Sequence, residues 1–269
     1  MRGRLIHWLQ HHSPSVSIKR LIRWSGQDLI FPFYHAIQGS KKLPHIQQLY
    51  TPRNEQQFRA DLDCLLQHFT PIGLTDLLDH LQNGKKLPRP AFHLSFDDGL
   101  REVYDFAFPI LKEKGIPATV FLNSAFVDNR DLFFRYKASL LIETLTTSPL
   151  PQNLLEQIGE LLQIKPTFSN VTLRQKILNI TYSEKEILDE IAQICSYRFD
   201  DFLQSQKPYL DHRQISALIK AGFSIGAHSV DHPLYAQLPL TQQIKQTQES
   251  INWIVEQFEL PYKCFAFPF

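Results

Sequence analysis

The run Phe92-His93-Leu94-Ser95-Phe96-Asp97-Asp98-Gly99 constrains the fold more than any other stretch. Phe92, Leu94 and Phe96 recur at the two-residue period of a β-strand. The run ends in two adjacent carboxylates and a glycine, the residue best suited to a turn needing positive φ or close backbone approach. The acids are therefore predicted to stand where the strand leaves its sheet. Alone, a solvated Asp-Asp-Gly turn accounts for the pattern. Two neighbouring acids repel, however, and are best tolerated where water, a cation or separate tasks divide them. The weight shifts with a second segment far downstream, His228-Ser229-Val230-Asp231-His232-Pro233.

Around these segments the chain alternates. Leu29–Tyr34 reads as a buried strand, and Phe58, Leu62, Leu65, Leu66 and Phe69 mark one face of a helix. A brief strand at 71–74 hands over to a helix at 76–81, with Thr75 as its N-cap. After the central strand a helix is predicted from about Glu102 to Lys114, stopped by Gly115, followed by a strand at 117–123. Strand, helix, strand, helix in succession implies parallel strands joined by right-handed crossovers. Residues 124–207 break the pattern. They carry helix signals and almost no strand signal, including capping-box patterns at Thr172–Gln175 and Ser183–Glu186, and are expected to form a helical insertion on the rim. Phe133, Phe134 and Tyr136 near its start could line a cleft, although such clusters are more often core. Alternation then resumes with a helix capped by Asp211, a strand at 223–227 delivering His228, a helix from Thr241 to Phe258, and a last strand beginning at Cys264. The organisation expected is a basic lead-in over 1–28 and one α/β domain over 29–269, interrupted at about 124–207.

Length and composition permit this and exclude other classes. With 269 residues, 43% of them hydrophobic, the chain can bury the core of one large α/β domain. A net charge of +1 gives no reason to expect nucleic acid as a partner. Basic residues do lead the chain: Arg2, Arg4, Lys19, Arg20 and Arg23 precede the first acid, Asp28, with Trp8, Leu21 and Trp24 interleaved. Packing of this lead-in on its own domain is expected first, and peripheral membrane contact through residues 1–24 second. No apolar run approaches the ~20 residues of a membrane span, and no cleavable signal is recognised, so a cytoplasmic or membrane-peripheral location is expected. Cys64, Cys195 and Cys264 are too scattered for a disulfide framework or a zinc cluster and are expected to be buried thiols.

Asp97, Asp98 and His228 all follow predicted strand ends. In parallel α/β sheets and barrels the strand C-termini gather on one rim, where sites are built. The acids and the histidines, over a hundred residues apart, are therefore predicted to converge. Two histidines four apart can reach one ion, and one carboxylate with two neutral imidazoles is a common divalent-metal set. The second acid is then free to take a proton.

The Ser-Phe-Asp-Asp-Gly strand end, the Gly226–Pro233 segment and Phe265-Ala-Phe-Pro-Phe269 resemble the first three motifs of the NodB-like polysaccharide deacetylases. Tyr34-His35, Gly115-Ile-Pro-Ala-Thr and Ile215–Gly222 agree with it in the flanks. The resemblance covers about 29–123 and 208–269. It implies a distorted (β/α) barrel that hydrolyses N-acetyl groups on an aminosugar polymer, with an N-acetylated saccharide as substrate. It makes Asp97 the general base and Asp98, His228 and His232 the ligands of a divalent ion, most simply Zn²⁺, with Co²⁺ or Ni²⁺ as alternatives. Ser229 would shape the histidine loop, and Phe269 would offer a backbone N–H to the oxyanion. His35 is a weaker cleft candidate, and Asp231 is expected to cap or shape the loop.

The sequence departs from the family pattern at Ala266, where an arginine often orients the base. The later strands and the histidine that protonates the leaving amine are not among the 269 residues, so the barrel is expected to be incomplete at its C-terminus. Six candidate strands and no motif-placed acid imply metal binding, low or absent deacetylation and self-association along an open edge. Two other classes stand beside the deacetylase: a hydrolase of another C–N bond on the same fold, and an inactive or truncated carbohydrate-binding relative.

Overall fold

The structure is a computed structural model describing residues 18–148, 150–164 and 169–268. Phe269 and most of the basic lead-in lie outside the described residues. The strands are β1 Leu29–Ile30, β2 Phe33–Tyr34, β3 Ile37–Gln38, β4 Arg53–Asn54, β5 Thr70–Pro71, β6 Ala91–Phe92, β7 Leu94–Phe96, β8 Ala118–Leu122 and β9 Ser224–Ala227. All of their pairings are parallel, as the alternating pattern predicts: β1-β6-β5, β2-β7-β8-β9 and β3-β4.

The four-stranded sheet positions the site. Of its inner strands β8 is buried throughout, and β7 buries Leu94 and Phe96 on either side of the half-buried Ser95, as expected where both faces of a parallel sheet are covered. Phe92, Leu94, Phe96, Val120 and Ile225 pack with Phe58 and Leu62 of helix Glu55–Leu66 and with Ile215 and Leu218 of helix His212–Lys220.

Several boundaries differ from those expected. The strands at 29–34 and 91–96 are each broken in two at the same level. Pro32 has no N–H to give, so the ladder is interrupted opposite His93 and resumes at Phe33↔Ser95. His93 is a satisfied core histidine, its ring nitrogens 3.0 Å from the Ile72 carbonyl and 3.0 Å from Thr119 Oγ1. The helix expected at 102–114 opens with a π-turn over Val103–Ala107 before becoming α-helical at Phe108–Lys114. Pro109 can neither donate nor sit comfortably beneath a regular preceding turn, and the wider turn accommodates it.

Gly73, not Thr75, caps helix Leu74–Asn83, because the Asp76 carboxylate reaches back 3.0 Å to the Gly73 N–H. The box expected at 183–186 forms two residues earlier, where Glu184 accepts from the Thr181 N–H at 3.1 Å. Ser169, rather than Thr172, caps helix Asn170–Leu178. Among the described residues, those from Cys264 onward contribute one parallel bridge, Ala227↔Phe265, instead of a strand.

Cys64 is exposed and the other two cysteines are half-buried, so none is the buried thiol expected: Cys64 lies on the solvent side of its helix, away from Phe58 and Leu62. Leu21 and Trp24 of helix Ile18–Ser25 are 50% and 70% exposed, so that face of the lead-in helix is not packed on the domain. No helix among the described residues is long and apolar enough to cross a membrane.

Between 124 and 207 the described residues form the α-helices Phe134–Thr147, Gln152–Leu161, Asn170–Leu178, Glu186–Ile194 and Phe199–Gln206. They share one core with Leu100 and Tyr209, close behind the strand-end acids. The segment is thus packed into the site end of the molecule, not merely onto its rim.

Candidate active site

The sheet delivers its polar residues from four adjacent strand ends. His35 follows β2, Asp97 and Asp98 follow β7, Asn123 follows β8 and His228 follows β9. The ladder carries on into this rim, with the Asp97 N–H donating to the Tyr34 carbonyl at 2.9 Å and the His228 N–H to the Leu122 carbonyl at 2.8 Å. Asp98 and Gly99 then turn the chain through the left-handed region, at φ 69° and 66°. Gly99 suits this φ, and a Cβ there would stand 2.7 Å from Leu122 Cδ2, which would have to shift. Asp98 adopts positive φ without glycine's freedom, a strained conformation that aims its carboxylate inward.

Asp98, His228 and His232 form a buried cluster whose ligating atoms all lie within 4.8 Å of one another. Asp98 Oδ1 is 3.2 Å from His232 Nε2 and 3.7 Å from His228 Nε2. His228 Nδ1 is 2.9 Å from the Ala266 carbonyl. A carbonyl can only accept, so Nδ1 carries the proton and Nε2 presents its lone pair to the cluster. The position where an arginine was expected thus contributes its backbone oxygen.

Ser229 and His232 also have positive φ, 72° and 60°. Ser229 Oγ accepts from the His232 N–H at 3.0 Å and from Asn123 Nδ2 at 3.3 Å, and Asn123 also donates to the His228 carbonyl. Asp231 holds the outside of the same loop, accepting from Tyr182 Oη at 2.6 Å, Lys185 Nζ at 2.9 Å and Gln246 Nε2 at 2.8 Å.

Sequence reasoning left two contributors without a role. Asn123 read only as the end of a strand; its position on the shared rim was the available signal. Tyr136 was weighed as cleft lining or core and is more: wholly buried, it donates from its hydroxyl to Asp98 Oδ2 at 2.8 Å. The ring of Phe133 packs 4.4 Å from that of His232.

The electrostatics divide the two acids. Burial pushes the Asp97 carboxyl up to about 7, with the charge of Asp98 adding to the effect. For Asp98 burial acts in the same upward sense, but the His232 imidazole beside it outweighs this and holds the carboxyl well below the usual range. Burial lowers His228 to about 4. For His232 burial pulls downward too, and the Asp98 charge more than compensates. Burial and the Asp98 charge push the Tyr136 phenol far up, so it remains a hydrogen-bond donor.

These residues fit a divalent cation. Asp98 Oδ1 is buried without a hydrogen-bond donor and faces two imidazole nitrogens, an arrangement a cation would satisfy. Asp97 Oδ1 is buried and equally unpartnered, beside the cluster but outside it. His35, at the end of β2, is half-buried with its ring packed against those of Phe33 and Tyr50.

The sequence profile of polysaccharide deacetylases matches residues 84–269, more than half of the chain. A poly-β-1,6-N-acetyl-D-glucosamine N-deacetylase of Staphylococcus epidermidis is 30% identical over 97 residues, 36% of this chain and 32% of that protein. The enzyme of the same description from Staphylococcus aureus is 23% identical over 180 residues, 64% of this chain and 59% of that protein. The matches thus span about a third and about three-fifths of these relatives' lengths. Two solved structures share the fold at a TM-score of 0.52: Streptococcus pyogenes deacetylase PplD in complex with acetate, 16% identical, and IcaB from Ammonifex degensii, 17% identical. In each case 89% of this chain and 73% of the other is covered. With the profile match spanning both the acid-bearing strand and the histidine loop, this chain belongs to the polysaccharide deacetylase family.

Proposed function

We propose that this chain is a metal-dependent hydrolase that removes N-acetyl groups from an aminosugar polysaccharide. The observation that carries the reading is the division between Asp98, bound into an Asp/His/His cluster, and Asp97, unpartnered beside it with its carboxyl raised to about 7. The names of the staphylococcal relatives point to a β-1,6-linked N-acetylglucosamine polymer as the first substrate to try.

A divalent ion held by Asp98, His228 and His232 would polarise the acetamide carbonyl and acidify the attacking water. Zn²⁺ suits one carboxylate and two imidazoles best, and Co²⁺ or Ni²⁺ would serve the same ligands. Asp97 takes the water's proton, a task suited to a carboxylate whose pKa lies near neutrality. Asn123 and Ser229 keep the histidine loop in its strained turn, and Tyr136 fixes the orientation of the Asp98 carboxylate. The leaving nitrogen needs a proton, and His35 is the group we assign to supply it. Its ring is half-buried, follows the end of β2 on the same rim as the acids, and holds no hydrogen bond among the described residues. Phe269 is retained from the sequence reading as the backbone donor to the oxyanion.

The test is acetate release from N-acetylated aminosugar oligomers by the zinc-loaded chain at neutral pH. Release is expected, at a rate limited by amine protonation and falling further in His35→Ala. His228→Ala and His232→Ala should each abolish stoichiometric metal binding while the fold persists. Full metal binding without any acetate release would refute the catalytic reading, and full occupancy in both histidine variants would refute the ligand set.

A further inference from the structure

The helical segment does more than support the cluster. A cavity of about 280 Å³ lies between its first helix, the turn at 178–182 and the histidine loop, and His232 forms part of its wall. The volume is near the lower end of the roughly 300–1,000 Å³ typical of small-molecule sites, which suits one ring better than an extended chain.

Its lining has two characters. Phe133, fixed against His232, and Tyr182, whose hydroxyl is held by Asp231, give rigid aromatic surface. Arg135, Asn179 and Gln237 line the same cavity, are all exposed, and make no side-chain hydrogen bond or ion pair among the described residues. Lys137 and Lys185 of the same segment, and Thr181 on the cavity wall itself, are by contrast engaged by protein partners. Three unengaged donor-bearing groups facing one aromatic-walled cavity match a ligand with an apolar ring face and a rim of hydroxyl and carbonyl oxygens.

We infer that this cavity is a saccharide subsite that holds the sugar unit next to the one being deacetylated. The inference rests on the deacetylase reading above. Sharing His232 places the subsite one residue from the reacting centre, so a polymer lying across the cluster reaches it with an adjacent unit. The Arg135 guanidinium favours a neutral N-acetylated or anionic unit over one bearing a free ammonium group. The helical segment would in this way make the enzyme a reader of chain, with turnover that depends on a neighbouring sugar.

The experiment compares the unaltered protein with the combined variant Arg135→Ala, Asn179→Ala, Gln237→Ala. These side chains are exposed, so folding is not at stake. The readout is the kcat/KM for a β-linked N-acetylated tetramer divided by that for the monomer. Loss of hydrogen bonds to neutral and charged groups is expected to lower this ratio about tenfold or more, with zinc affinity unmoved. An unchanged ratio overturns the subsite. If the unaltered protein releases no acetate from either saccharide, the deacetylase reading fails separately. The subsite is then judged by equilibrium binding of the tetramer to the zinc-loaded protein. A tenfold weakening in the variant sustains the inference, and equal or absent binding overturns it.

Discussion

Tyr136→Phe isolates one oxygen atom. The hydroxyl donates at 2.8 Å to Asp98 Oδ2 in a wholly buried environment where no water can replace it. Hydrogen bonds to a charged group are worth roughly 1.5–3 kcal/mol, and loss of a partner behind a metal ligand typically weakens metal binding about 10–100-fold. The zinc dissociation constant, measured by competition with a chromophoric chelator, should rise by that factor. Phenylalanine keeps the ring packing against Phe133, Tyr209 and His45, so a packing role alone predicts no change in affinity. Tyr209→Phe is the matching control. Its hydroxyl accepts from the Phe133 N–H at 3.1 Å and touches no ligand, so it should cost stability while leaving zinc affinity in place. A zinc constant within twofold of the unaltered protein in Tyr136→Phe would refute the positioning role.

Asp97→Asn should keep stoichiometric metal and lower turnover by ~10²–10⁴-fold, the usual contribution of a general base; equal loss of metal and activity would make Asp97 a ligand instead. The same carboxyl gives the metal-free protein a pH signature. Its folded value of about 7 lies above the ordinary 3.8, so the stability it contributes is fully present below 3.8 and is lost as the pH rises through 7. Urea unfolding of the metal-free chain at pH 8 should therefore find Asp97→Asn more stable than the unaltered protein by up to about 4 kcal/mol, a gap that closes by pH 4; a gap constant with pH would count against the raised carboxyl. Asp231→Ala leaves the donors of Tyr182, Lys185 and Gln246 without their acceptor and should destabilise by about 1–3 kcal/mol in urea unfolding; no loss would show that the three contacts are replaced by water at no cost.

The parallel sheet and the convergence of Asp97, Asp98, His228 and His232 were legible because each depends on local pattern. Period-two apolar runs mark the strands, and strand C-termini in a parallel sheet share a rim whatever the loops between them. What sequence could not show depends on tertiary chemistry. Pro32 was visible, but that its missing N–H would break two paired strands at one level requires knowing the register. Gly73 wins the cap from Thr75 because Asp76 can turn back to it, a competition between side chains that a pattern of residue types does not resolve. Tyr136 stood in an aromatic cluster indistinguishable from core, and only the packing of its helix behind Asp98 gives its hydroxyl a task.

The site therefore has two parts with different origins. The sheet supplies the proposed base, two of the three candidate ligands and the asparagine that holds the histidine turn from adjacent strand ends, and the loop after β9 supplies the third ligand, His232. Residues 124–207 supply the donor behind Asp98, the ring against His232, the clamp on Asp231 and the wall of the neighbouring cavity. Changes to the sheet-borne residues act on the chemical step or on whether metal binds at all. On the proposals above, changes to the helical segment would act on how tightly metal is held and on which saccharide is presented. The loop 228–232 is where the parts meet, since its inner side is held by Asn123 and its outer side by Tyr182 and Lys185. A polysaccharide deacetylase built this way can alter its substrate through the helical segment while the acid pair and the histidines stay in register on the strands.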